Sequence, residues 1–484
     1  MNYKMIGLFF ARILSVEAIF LLPPLFIALF LKESASVLGF LITFLAVSLI
    51  CGLFYFLCRG ASSNFNAKEG FTCIGISWIA LSLLGCLPFV ISGEIPNYID
   101  ALFETVSGFT TTGASVLSDV ESLPRSLLFW RCFLNWLGGM GVLVFLLAFT
   151  PGEGKNTGFT MHLLRAESPG PDVGKLVPRM RTTALILYAI YIIMTLLNVI
   201  FLLCGGMPLY DALCTAFSSA GTGGFGIRND GFASFSSYIQ IVTTVFILLF
   251  GVNFSCYYLL LLRQVRGVFR DEELRLYLAL VLGSTVLITW NLIGTYDTVG
   301  ETIRHAAFQV ASIITTTGFA STDFDLWPPF SKAILLLLML IGACAGSTGG
   351  GLKCSRLLIL LKNLKRNIEQ LIHPNKVLVV RNNGKPVSER VIVNTNAYLA
   401  AYVLIIACSI LIVSVDAFTV ETNVSAVISC FNNIGPGFSA VGPMFNYANY
   451  SILSKLVLIF DMLAGRLEIF PILVLFSTAI PQKR

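Results

Sequence analysis

The stretch Asp100-Ala-Leu-Phe-Glu-Thr-Val-Ser-Gly-Phe-Thr-Thr-Thr-Gly113-Ala-Ser decides the reading of this chain, because it recurs. A second copy reads Asp211-Ala-Leu-Cys-Thr-Ala-Phe-Ser-Ser-Ala-Gly-Thr-Gly223-Gly-Phe-Gly. A third reads His305-Ala-Ala-Phe-Gln-Val-Ala-Ser-Ile-Ile-Thr-Thr-Thr-Gly318-Phe-Ala, and a fourth Thr422-Asn-Val-Ser-Ala-Val-Ile-Ser-Cys-Phe-Asn-Asn-Ile-Gly435-Pro-Gly. Aligned on the glycine, Ser107, Ser312 and Ser429 share a column, and the second copy needs a one-residue gap to bring Ser218 there. One Thr-Thr-Thr-Gly alone is an ordinary turn. Copies recurring roughly every hundred residues, each between two long apolar runs, are a structural repeat.

Outward from these copies the chain is apolar. Of its 484 residues 56% are hydrophobic and 12% charged, with 39 Phe and a mean hydropathy of +0.83. A soluble domain carries about 25% charge, so soluble, disordered and disulfide-scaffold classes are excluded. Ten apolar segments are long enough to span a bilayer: 6–31, 36–58, 71–92, 127–150, 183–205, 237–262, 275–294, 331–361, 396–415 and 452–480. The segments 99–112, 210–222, 303–317 and 422–434 are too short to span, and they carry the repeats. The first segment is longer than a signal-peptide core and lacks an A-x-A site, so it reads as a retained span. The expected unit is span, short helix, Gly-bearing loop, span, four times over, with two spans outside the repeat.

Lysine and arginine orient the spans. They cluster in 151–182, 263–275, 353–390 and the tail, which are read as cytoplasmic. The opposite loops are acidic, with Glu94, Asp100, Glu104, Asp119, Glu121, Asp211, Asp230, Asp297, Glu301, Asp323, Asp325, Asp416 and Glu421. Such a mouth concentrates cations. A short helix ending inside the membrane presents free carbonyls and a negative dipole end. Irregular backbone at that depth is tolerated where it lines a cavity. A Thr-rich segment ending in Gly can turn its carbonyls inward, and four of them around one axis replace a cation's water shell.

The chain resembles the Trk/Ktr/HKT superfamily of potassium transporters over its whole length, and within it the bacterial TrkH type, since the shorter Ktr type lacks the two leading spans. The resemblance rests on Phe109-Thr-Thr-Thr-Gly113, Gly223-Gly-Phe, Thr315-Thr-Thr-Gly318-Phe, Asn432-Asn-Ile-Gly435-Pro-Gly, the Gly-rich run 346–351 and Ala464-Gly-Arg466-Leu-Glu-Ile-Phe-Pro471. It implies an all-α integral membrane protein of ten spans. Its divisions are two extra helices (1–68), repeat 1 (69–150), repeat 2 (151–270), repeat 3 (271–390) and repeat 4 (391–484). It implies a potassium filter of Thr111, Thr112, Gly113; Gly221, Thr222, Gly223; Thr316, Thr317, Gly318; and Asn433, Ile434, Gly435. In plant relatives a serine at the first filter glycine goes with sodium permeation; glycine at all four favours potassium. The implied function is potassium uptake across the bacterial inner membrane, by a homodimer with one pore per chain. The implied partner is a cytoplasmic ring of nucleotide-binding subunits similar to TrkA. No organic cofactor is implied; potassium is cargo.

Two features suggest a gate. The eighth span is interrupted by Gly342-Ala-Cys-Ala-Gly346-Ser-Thr-Gly349-Gly350-Gly351, and each glycine costs a helix roughly 1 kcal/mol relative to alanine. Family resemblance makes this an intramembrane loop that obstructs the pore; a small-residue packing patch is the plainer account. It is not a phosphate-binding loop, because Leu352 stands where lysine is needed. Arg466 lies deep in the last span, where a charge needs a cavity or a partner. Asp461 and Glu468 are candidate partners, and a fixed charge beneath the filter is the functional alternative. Arg12 and Glu17 read as structural pairing, with each other or with another helix.

Other classes are disfavoured. The chain has 12 Cys and 3 His, but no C-x-x-C, H-E-x-x-H or G-x-S-x-G, so metal, redox and hydrolytic chemistry lack their residues. Nothing points to nucleic acid. A symporter coupling potassium to protons or sodium remains the alternative. It would want a membrane-buried carboxylate on the ion path, and the repeats carry none beyond the outer mouth.

Overall fold

The computed structural model describes residues 3–60, 67–139, 141 and 180–479. It is helical apart from a two-stranded hairpin, Arg381–Asn382 with Lys385–Pro386, which the sequence reading did not foresee. Asn383-Gly384 turns it, both residues having positive φ, as the tight hairpin turn requires. The second half of the segment 127–150, the basic stretch 151–179 and the basic tail lie outside the described residues.

Among the described residues, six helices are long and apolar enough to cross a membrane: Tyr3–Leu31, Ser34–Leu57, Glu69–Ser92, Thr182–Cys204, Glu272–Asn291 and Glu389–Val413. The four short segments form helices Tyr98–Phe109, Leu209–Gly221, Val299–Ile314 and Val420–Phe431. Their starts are fixed locally. Asn97, Thr298 and Thr419 each accept a backbone N–H of the first turn through the side chain, and Pro208 precedes the second.

Three of the helices leaving the loops are broken, and of these breaks only the one at the glycine run was expected. Segment 237–262 is two helices, Ser237–Phe250 and Phe254–Leu261, bent by 89°. Segment 331–361 breaks at the glycine run, Pro329–Ile341 ending before Cys354–Ile372 begins. Segment 452–480 breaks after Ile452–Arg466, with positive φ at Glu468 and Ile469, before Phe470–Ala479. The only one of these breaks legible in the sequence is the glycine run. At Asn253 the signal is a side-chain cap: its Oδ1 accepts from Ser255 N at 2.9 Å and starts the second helix.

Arg12 and Glu17 do not pair with each other. Glu17 is buried, and neither carboxyl oxygen has a hydrogen-bond partner among the described residues.

Candidate functional site

Each short helix ends in the same backbone figure. Thr111, Thr222, Thr316 and Asn433 all have φ between 52 and 57°. The next residue, Thr112, Gly223, Thr317 or Ile434, donates its N–H to the carbonyl of Ser107, Ser218, Ser312 or Ser429 at 2.8–2.9 Å. The residue after that is Gly113, Gly224, Gly318 or Gly435, each with positive φ. This corrects the sequence alignment. The second-copy equivalent of Gly113 is Gly224, not Gly223; no gap is needed, and Gly221 falls in the column of Thr110 and Thr315. The misreading arose because the second copy has glycine in both columns. Gly223 stands where two other copies have threonine because the Asn135 carboxamide fills that space: a Cβ there would lie 2.5 Å from Asn135 Nδ2.

The four glycines form a closed cycle. A Cβ on Gly113 would strike the Gly223 carbonyl, one on Gly224 the Thr317 carbonyl, and one on Gly318 the Ile434 carbonyl. One on Gly435 would lie 2.7 Å from the Thr112 oxygen. Every glycine therefore abuts the next copy's loop, and the fourth returns to the first. Positive φ and backbone contact together leave room for no side chain. Gly224→Ala is expected to abolish flux through the assembled protein. Gly223→Ala is expected to be tolerated once Asn135→Ala vacates the space, and Gly224→Ala is not rescued in that background. A liposome flux assay on the three variants checks the register.

Side chains brace the loops. Thr110 Oγ1 and Thr315 Oγ1 bond back to Val106 O and Ala311 O and meet Thr112 Oγ1 and Thr317 Oγ1 at 2.8 and 2.7 Å. The fourth copy substitutes amides: Asn432 Nδ2 donates to Ile428 O at 2.9 Å, and Asn433 Nδ2 reaches Thr112 Oγ1 at 3.0 Å. Behind the first loop Arg131 Nε donates to Glu104 Oε1 at 2.7 Å, with both side chains essentially unexposed. Glu104 also accepts from Ser115 Oγ and Val116 N, just after Gly113. Tyr447 OH donates to Gly435 O at 2.7 Å while its N–H reaches Ser115 O.

The acidic mouth is therefore less negative than its composition suggests. Glu104 is neutralised by Arg131, Asp100 by Lys455 and Glu301 by Arg304, while Lys332 offsets one of the two charges of Asp325 and Glu421. Asp119 instead stitches the first and second loops. A hydrogen bond from Asn229 Nδ2 at 2.7 Å holds its carboxyl below the usual range.

Beneath the glycine cycle lies the glycine run. Gly350 N donates to Thr316 Oγ1 at 2.6 Å, and Thr348 Oγ1 meets Thr222 Oγ1 at 3.3 Å. A Cβ on Gly350 would strike the Asn432 carbonyl. Gly346 O accepts from Phe254 N at 3.0 Å, just past the 89° bend. A Cβ on Gly351 would lie 2.9 Å from Gly342 Cα, so the two ends of the loop close on each other. Gly349 O accepts from the buried Lys353 Nζ. These contacts go far beyond a helix–helix packing patch.

Arg466 sits at the same level. Nη1 donates to Thr348 O at 2.9 Å and to Thr111 Oγ1 at 3.3 Å, and Nη2 to Gly139 O at 2.8 Å and to Gly138 O. The two carboxylates weighed as candidate partners make other contacts. Asp461 Oδ1 accepts from Ser409 Oγ at 2.7 Å, and Glu468 pairs with Arg356. Besides Glu104 of the acidic loops, Glu273 and Asp461, in the helices Glu272–Asn291 and Ile452–Arg466, are buried, and Glu273 Oε1 caps the glycine run at Ala345 N, 2.6 Å away.

The family model described as "TrkH: Cation transport protein" matches residues 37–484. The chain is 36% identical to the Trk system potassium uptake protein TrkG of Escherichia coli K12 over 463 residues, 94% of each chain. It is 34% identical to the Trk system potassium uptake protein TrkH of Vibrio parahaemolyticus over 99% of each. The crystal structure of the potassium transporter TrkH from Vibrio parahaemolyticus superposes with a TM-score of 0.88, at 30% identity and 99% coverage of both chains. These are transporters rather than enzymes, and this multi-pass membrane protein belongs to the TrkH family of cation transport proteins.

Proposed function

We propose that the chain takes up potassium across a bacterial inner membrane through a single gated pore, framed by ten spans and by the four repeats with the boundaries given above. The observation that carries this reading is the closed cycle of Gly113, Gly224, Gly318 and Gly435, each against its neighbour's carbonyl. The filter is formed by the paired residues before each glycine: Thr111 and Thr112, Thr222 and Gly223, Thr316 and Thr317, Asn433 and Ile434. Their backbone carbonyls replace potassium's water. Two copies lack the triple threonine, so the four walls are unequal and fewer ion sites are well formed than in a fourfold-symmetric channel. That its relatives are a potassium uptake protein and a potassium transporter supports the choice of ion.

The run Gly346–Gly351 is the gate, held shut here by Thr222, Thr316 and Arg466. Opening requires its withdrawal from beneath the filter. The basic cytoplasmic segments are too short to form a regulatory domain, so the energy comes from a partner, a nucleotide-binding ring similar to TrkA. The chain acts as a homodimer, one pore in each copy.

The test is cation flux in liposomes containing the purified protein. Downhill potassium flux indifferent to an imposed pH gradient, with sodium slower, is expected. Potassium driven uphill by a proton or sodium gradient would replace this reading with a coupled carrier, for which Glu273 and Asp461 are the buried carboxylates to substitute first. Gly350→Val, whose side chain meets the Asn432 carbonyl, is expected to raise flux about tenfold by displacing the loop, an energy change of about 1.4 kcal/mol.

A further inference from the structure

Helices Tyr3–Phe20 and Ser34–Leu57 pack against each other in opposite directions. Cys51 Sγ donates to Ala11 O at 3.2 Å, and Gly7 faces Cys58. On their outer side they leave a groove of about 650 Å³, lined among others by Ser15, Ile19, Phe44, Gly52, Tyr55 and Arg59. Its floor offers little to a polar ligand. Ser15 Oγ already donates to Arg12 O at 2.6 Å, and Cys51 to Ala11.

The groove is chemically graded. Ile19, Leu22 and Phe44 lie toward one end, and Tyr55 and Arg59 toward the other. Arg12 is one turn from Ser15 on the same helix face. Neither Arg12 nor Arg59 has a carboxylate partner among the described residues, whereas Arg131, Arg304 and Arg356 are each paired. An arginine at the edge of a bilayer extends its head to the interface. Basic pockets between spans on that side hold anionic headgroups. We infer that this groove binds one acyl chain of an anionic diacyl phospholipid, with the headgroup phosphate held by Arg59 and Arg12. That the site faces the inner leaflet rests on the topology proposed above; the binding itself does not.

A Cβ on Gly52 would meet nothing within 4 Å, so the groove can be filled without disturbing the core. The experiment is native mass spectrometry of the full chain released from nanodiscs containing equal amounts of phosphatidylglycerol and phosphatidylcholine. Wild-type protein is expected to retain phosphatidylglycerol selectively. Losing one arginine beside an anionic headgroup weakens binding about fivefold, so Arg59→Gln should lower retention by that factor and Arg12→Gln/Arg59→Gln further. Gly52→Phe should remove the bound lipid while leaving both arginines in place. Equal retention of the two lipids would overturn the proposal. So would retention unchanged in the double arginine variant, or arginine-dependent retention that survives Gly52→Phe, which would put the headgroup outside the groove. Wild-type melting temperature in the Gly52→Phe protein is expected, and a lowered one moves the test to Gly52→Leu.

Discussion

Arg466→Ala is expected to raise potassium flux tenfold or more in liposomes. Two effects act in the same direction. A fixed charge ~6 Å from a passing ion, at an effective dielectric of ~20, opposes it by ~3 kcal/mol. The guanidinium also clasps Thr348 O of the loop to the carbonyls of Gly138 and Gly139, and hydrogen bonds from a charged group contribute about 1.5–3 kcal/mol each. Alanine removes both the repulsion and the clasp. Arg466→Lys separates them, because an ammonium keeps the charge but lacks the planar fork that spans two sets of carbonyls. Flux in the lysine variant is expected between wild type and alanine. A folded, monodisperse Arg466→Ala protein with unchanged or lower flux would remove Arg466 from the gate.

Glu104→Gln is the substitution expected to destabilise the protein most. It leaves Arg131, 1% exposed, without its counter-ion. Breaking one side of such a pair costs about 3–5 kcal/mol, whereas replacing both sides with apolar groups is often neutral. The loss is felt at the first loop, because Glu104 holds Ser115 Oγ and Val116 N two and three residues after Gly113. Thermal unfolding of the detergent-solubilised protein should fall sharply for Glu104→Gln and recover largely in Glu104→Gln/Arg131→Met. Sodium exclusion should weaken in the single variant. A single variant that melts with wild type would mean that Arg131 finds another acceptor.

Much of this was legible because membrane proteins write their fold in long apolar runs. The four short helices were marked by length, and their loops by Thr-Thr-Thr-Gly. The second loop was placed one residue early, because Gly221, Gly223 and Gly224 offer three candidate columns and only backbone geometry separates them. Arg466 was recognisable as exceptional from its depth. Its partners were not, since it bonds main-chain carbonyls of Gly138, Gly139 and Thr348, and carbonyls have no sequence signature. The Glu104–Arg131 pair was missed for a different reason. Glu104 was counted among the acids of the outer mouth, although it sits one helical turn from Ser107 on a helix buried on nearly every side. The bend at 250–254 carries no proline and was hidden inside a continuous apolar run.

The glycine cycle has a consequence for the chain during its synthesis. Its closing contacts join Asn433 to Thr112, 321 residues apart. At roughly 10 residues per second the first loop waits on the order of half a minute for the fourth to emerge from the ribosome. Until then Gly113 and Gly318 each lack one neighbour, and three loops enclose a cleft rather than a ring. On the filter proposed above, a chain interrupted before residue 434 therefore lacks the wall that closes it.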